Sequence, residues 1–111
     1  MEQITAFNND GVETITGVGE LDLRFGEQFR QALSDAVASG HEIVVDLRQA
    51  SYIDTAIVAA LVPPAKAMLE RGGRLKVLVT SGGYPNYVLK TVRFADIMEI
   101  VAEEDSTTTE R

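Results

Sequence analysis

The chain has 111 residues, 45% of them apolar, a formal net charge of −7, one histidine and no cysteine. That length and apolar share suit one domain around one core and leave too little chain for two. The acidic balance, with no cluster of Lys and Arg, excludes the footprint that nucleic-acid binding requires; the missing cysteines exclude disulfide and thiolate chemistry; and no apolar run reaches the length of a membrane span or secretory signal, so a cytoplasmic protein without membrane insertion is expected.

Ile4 to Phe7 and Val12 to Val18 read as two short strands joined at Asn8-Asn9-Asp10-Gly11, because Asn, Asp and Gly tolerate the positive φ of a tight hairpin. A polar break follows at Gly19-Glu20-Leu21-Asp22. Phe25, Phe29, Ala32, Leu33, Ala36 and Val37 then recur at helical spacing until Gly40 supplies a stop. Ile43 to Leu47 (IVVDL) has the apolar character of a central strand, and Arg48 to Ser51 reads as a polar connection out of it.

Tyr52-Ile53-Asp54-Thr55 leads into a second helix striped by Ile57, Leu61, Ala65, Met68 and Leu69 and ending at Gly72-Gly73. Pro63 and Pro64 interrupt it. Each lacks a backbone N–H and crowds the preceding turn, at a cost of about 3 kcal/mol apiece in an undistorted helix, so a kink or broken turn is expected. Arg74 to Thr80 is another strand, Ser81-Gly82-Gly83 a loop, and Pro85 opens a third helix carrying Val88, Leu89 and Val92. Ile97 to Val101 alternates as a last strand. Residues 103–111, EEDSTTTER, are polar enough to form a disordered tail after a domain of residues 1–102.

Helices alternating with strands after an initial strand pair imply an α/β domain: a mixed sheet of four to five strands with three crossover helices. Right-handed crossovers make the strands they join parallel. The loops carrying Asp22, then Asp54 and Thr55, then Thr80 and Ser81 must therefore emerge at one edge of the sheet, where open α/β sheets place their sites. The two periodicities predict a core of Ile15, Phe29, Leu33, Val44, Val45, Leu61, Leu75, Val77, Leu89 and Ile100.

Catalytic chemistry finds no support in these residues. The one histidine, His41, precedes a strand and belongs at the opposite edge from Asp54, as a solvated loop residue. No Ser/His/Asp or Cys/His set exists. Asp22, Asp46 and Asp54 match no metal-ligand spacing, and Ser81-Gly82-Gly83 is too short for a phosphate loop. A protein without enzymatic activity, metal or cofactor is expected. Asp54-Thr55 at a helix start fits both an ordinary cap, through its side-chain oxygens, and a phosphate switch, because the helix dipole favours negative charge there.

Several motifs in this order resemble the STAS family, named for sulfate transporters and anti-sigma factor antagonists. Thr14 to Asp22, TITGVGELD, is similar to that family's second strand ending in Gly-Glu-Leu-Asp. Ile43 to Leu47 is similar to its central strand, Tyr52-Ile53-Asp54-Thr55 to its switch motif, and Gly72-Gly73-Arg74-Leu75 to the turn into its next strand. The family commonly has glycine two residues after the switch residue, where this chain has Ile57.

The resemblance implies a small domain whose switch residue, Thr55 by position, is phosphorylated by a serine kinase that is also an anti-sigma factor, and dephosphorylated by a protein phosphatase. Asp22, Asp54, Thr55, Ala56, Ile57 and Ser81 are the expected partner-binding residues. Two other roles fit the same resemblance: a STAS subunit of an ABC-type lipid-transport system, and a scaffold-type STAS domain of a stress-sensing assembly.

Overall fold

The first two strands turn on Asp10 and Gly11, whose φ angles of 54° and 83° are the paired positive values of a type I′ turn. Such a turn matches the right-handed twist of the strands on either side. The computed structural model, which describes residues 3–104, pairs β1 (Ile4–Asn9) antiparallel with β2 (Val12–Leu21), Asn9 facing Val12 across the turn. The chain continues through α1 (Gly26–Ser39), β3 (Glu42–Ile53), α2 (Thr55–Ala60), α3 (Val62–Glu70), β4 (Lys76–Thr80), α4 (Tyr84–Thr91) and β5 (Glu99–Glu103). Short 3₁₀ turns occupy Leu23–Phe25 and Phe94–Asp96.

The sheet has five strands in sequential order, with β2 to β5 mutually parallel. It is the mixed α/β sheet that the order of elements predicts. Sequential neighbours joined by right-handed crossovers place every crossover helix on the same side, and burial follows that division. Ile15, Val45 and Val77, adjacent in register, are fully buried, as are Phe29 and Leu33 of α1 and Leu89 of α4. One residue away in each strand, Thr14, Val44 and Lys76 line the other face and stay partly exposed. Among the described residues no helix is long and apolar enough to cross a membrane.

Several expectations change. Val44 is not in the core, because the apolar run Ile43-Val44-Val45 belongs to a strand covered on one side only and its side chains alternate between faces. Ile100 packs against the core from the edge strand but remains partly exposed. Arg48 to Ser51 is not a connection: β3 runs on to Ile53, pairing with β2 as far as Leu21, through two register shifts. Bulges of that kind absorb extra residues without ending a strand, and polar side chains are no obstacle on an uncovered face.

The last strand starts two residues later than expected. Ile97 and Met98 both donate N–H groups to the Phe94 carbonyl, which closes the 3₁₀ turn and delays the ladder to Glu99. Glu103, assigned by composition to the tail, closes β5; residues 105–111 of the expected tail lie outside the described residues.

The second helix breaks where the prolines require. Leu61 donates to the Val58 carbonyl at 3.2 Å, ending α2, while its own carbonyl accepts from Ala65 at 3.1 Å, starting α3. Pro63 and Pro64 become the second and third residues of α3, positions whose N–H groups have no intrahelical acceptor in any helix. The interior-proline penalty is thereby avoided. Replacing both by alanine therefore adds no missing bond, frees two φ angles in the unfolded chain and strips the buried Pro64 ring from the core. Urea denaturation is expected to show a loss of about 1 to 2 kcal/mol, summing the per-residue proline effect over two sites. A gain in stability would mean that the chain favours one continuous helix.

Candidate functional site

Parallel strands end at a common edge, so the segments leaving β2, β3 and β4 lie side by side there. Backbone bonds tie neighbouring strand ends in pairs: the Asp54 N–H donates to the Leu21 carbonyl at 3.3 Å, joining the ends of β3 and β2, and the Ser81 N–H to the Glu103 carbonyl at 2.7 Å, joining the ends of β4 and β5. Asp22, Asp54, Thr55 and Ser81, separated in sequence, thus share the edge that strand polarity predicts.

Asp22 caps the 3₁₀ turn. Its Oδ1 accepts from the Arg24 backbone N–H at 3.0 Å, and the Arg24 guanidinium grips both oxygens, with Nε 3.0 Å from Oδ1 and Nη2 3.0 Å from Oδ2. These bonds hold the Asp22 carboxyl below the usual carboxylate range. Asp54 sits in extended conformation (φ −103°, ψ −176°) and its Oδ1 accepts from the Ala56 N–H at 2.9 Å, the geometry of a helix N-cap. Thr55 is the first residue of α2, and its side chain is exposed.

The next two residues turn inward. Ala56 packs so near the start of α1 that a Cβ added at Gly26 would lie 3.1 Å from the Ala56 methyl, so glycine at 26 permits the two helices to meet beside the site. Ile57 is 0% exposed and belongs to the core. Its expected place among the partner-binding residues is corrected: the position i+2 from Thr55 on a short amphipathic helix faces the sheet. For the same reason the bulk of Ile57 does not obstruct approach to Thr55. Ser81 is exposed in a tight turn, where the Gly83 N–H returns to the Thr80 carbonyl at 2.9 Å.

The three aspartates weighed as a cation cluster are each engaged elsewhere. Asp22 is held by Arg24, Asp54 by the helix it caps, and Asp46 by Arg48, whose Nη2 lies 2.8 Å from Oδ2 and whose guanidinium lowers the Asp46 carboxyl below its ordinary range. His41 stands at the opposite edge, as its place before β3 predicts, with Nδ1 2.9 Å from Asn8 Nδ2 and 3.3 Å from Glu13 Oε2.

Two features of the edge escape the sequence reading. Arg48 also reaches Glu103 at 2.8 Å, and Thr80 Oγ1 donates to the Arg48 carbonyl at 2.8 Å, so one residue ties β3 to β4 and β5. Tyr52, Tyr84 and Tyr87 form a surface cluster. Tyr84 and Tyr87 are visibly one helical turn apart in sequence, but nothing local brings Tyr52 to them.

The family model described as "Mlab, STAS domain" matches residues 7–102. No curated protein sequence matches the chain. Among solved structures, an anti-sigma factor antagonist from Mycobacterium paratuberculosis is 18% identical, with a TM-score of 0.76 over 96% of this chain and 90% of that one. The Bacillus cell fate determinant SpoIIAA, in its phosphorylated form, is 21% identical, with a TM-score of 0.67 over 97% of this chain and 99% of its own. A sulfate transporter family protein from Wolinella succinogenes is 17% identical, with a TM-score of 0.63 over 87% and 81% of the two chains. At these identities the likeness is one of fold, and it covers nearly the whole domain.

The Asp54 cap has a direct test. Asp54→Ala removes the acceptor for the Ala56 N–H and is expected to cost about 0.5 to 2 kcal/mol in chemical denaturation, whereas Asp54→Asn, which keeps an oxygen there, should cost a few tenths at about the level of interchangeable caps. Equal losses from both substitutions would show that the carboxylate charge, not the cap bond, is what α2 requires.

Proposed function

Because the chain belongs to the STAS domain family, in the branch described as Mlab, we propose that it is a protein-binding module of the anti-sigma factor antagonist kind, switched by phosphorylation of Thr55 and carrying no catalysis of its own. The observation that carries this reading is the placement of Thr55: an exposed hydroxyl at the first position of α2, directly after a capping Asp54, on the edge shared by Asp22 and Ser81. A kinase reaches such a hydroxyl without unfolding anything. The partners proposed are a serine kinase that doubles as anti-sigma factor and a phosphatase that resets the switch, all in the cytoplasm. Asp22, Asp54, Thr55, Ala56 and Ser81 form the docking edge.

A second reading, a STAS subunit that docks on the ATPase of an ABC-type lipid-transport system through the same Asp54-Thr55 edge, draws support from the shared fold of the sulfate transporter family protein. It requires no phosphorylation. A serine kinase or phosphatase encoded beside the gene favours the first reading, and ABC subunits there favour the second.

Phosphorylation adds about −1.5 to −2 charge at neutral pH. At a helix start the domain itself tolerates that charge, through a favourable dipole contribution of about 0.3 to 1 kcal/mol. A partner docked closely on the edge does not, since it would have to strip water from a dianion placed beside Asp54. Calorimetry against the neighbouring kinase or ATPase is therefore expected to give full affinity for Thr55→Ala, reduced affinity for Thr55→Asp and least for the phosphorylated protein, with melting temperatures nearly unchanged. Equal affinity across wild type, Thr55→Asp and phosphoprotein would leave Thr55 with only its place at the helix start.

A further inference from the structure

All three tyrosines of the chain meet on one patch of surface. Tyr52, near the end of β3, stacks on Tyr84, the first residue of α4, with ring centroids 5.4 Å apart and planes inclined by 11°. Tyr87, one turn along α4, lies 6.4 Å from Tyr84 at 33°. The result is a ladder in the order Tyr52, Tyr84, Tyr87, reaching from the neighbourhood of Asp54-Thr55 out along α4. Its members remain 39%, 45% and 66% exposed, so the fold gains only part of the burial these rings offer. Contiguous exposed aromatic surface on a small domain marks an interaction site, and tyrosine is among the residues that concentrate binding energy.

The charges beside the ladder select what covers it. Glu20, the register partner of Tyr52 on β2, is exposed and forms no ion pair among the described residues. Asp22 and Asp54 follow it along the edge. The two arginines at this edge are already engaged, Arg24 with Asp22 and Arg48 with Asp46 and Glu103. Lys90 lies one turn beyond Tyr87, at the far end of the ladder from Tyr52. The Tyr52 end thus combines an aromatic face with an exposed carboxylate that Arg24 favours only through space, without a direct ion pair among the described residues.

We propose that this end of the ladder is the docking platform for a protein partner that presents an arginine, its guanidinium lying over the face of Tyr52 not taken by Tyr84, with Glu20 as counter-ion. The inference rests on the reading of the chain as a binding module and adds the chemistry of what it binds. Arginine fits where lysine does not: its planar, weakly hydrated group stacks on a ring and pairs with a carboxylate at the same time.

The test is calorimetry of the purified ATPase encoded beside the gene, kinase or ABC subunit, against the unphosphorylated domain. Tyr52→Ala is expected to weaken binding by about tenfold and Glu20→Gln by about threefold, with the double variant losing less than the product because both groups hold one guanidinium. Tyr52→Phe, which keeps the ring face, should stay within about twofold. Val92→Ala, exposed at the other end of α4, should match wild type; circular dichroism confirms that each variant is folded. Wild-type affinity in Tyr52→Ala and Glu20→Gln, alongside weakened binding by Thr55→Asp, overturns the arginine platform and leaves the switch standing. Dependence on Tyr52 and Glu20 without any response at Thr55 overturns the switch and leaves the platform. A neighbouring ATPase that does not bind the wild-type domain at all overturns both.

Discussion

One topological constraint governs this molecule: parallel strands laid down in sequential order can be joined by right-handed crossovers only if every connecting helix packs on the same side of the sheet. The core is therefore one-sided, with Ile15, Val45 and Val77 facing the helices and Thr14, Val44 and Lys76 left on the open face. The same constraint turns the ends of β2, β3, β4 and β5 to one edge. Residues with no sequence proximity, Asp22, Thr55 and Ser81, come to the same edge of the sheet by strand polarity alone.

Much of that was legible in the sequence. Asp10-Gly11 fixes the hairpin because few other pairs hold two positive φ values, and the i, i+3, i+4 recurrence from Phe29 to Ala36 fixes the buried stripe of α1. The Asp54 cap was legible too, since a cap is a bond between residues two apart. What was not legible depends on which faces are covered. Val44 reads as core in an apolar run, yet period-two alternation on a sheet with one bare face places it outside. Arg48 to Ser51 reads as loop because the segment is polar, yet a bare face and two register shifts let β3 keep pairing through it.

At the site, local chemistry was readable and long-range chemistry was not. The sequence marks Thr55 as a helix-start hydroxyl and sets Ile57, two residues on, in the apolar stripe of the same helix, which the structure spends on the core. Nor does it reveal that Arg48 bridges to Glu103, or that Tyr52 meets Tyr84, since both depend on how the chain after β4 folds back beside β3. The electrostatic outcome is an edge whose arginines are internally engaged and whose remaining charge is acidic. That sign favours basic partners and agrees with the absence of a nucleic-acid footprint in the composition.

Under the proposed switch, modification of one hydroxyl, that of Thr55, sets the state of this edge. The most direct measurement is intact-mass and peptide mass spectrometry of the protein isolated from its own host, across growth and stress conditions. A fraction carrying one phosphoryl group, located on Thr55, is expected to rise and fall with condition. A protein unmodified at Thr55 under every condition, or phosphorylated only at sites away from this edge, would contradict it.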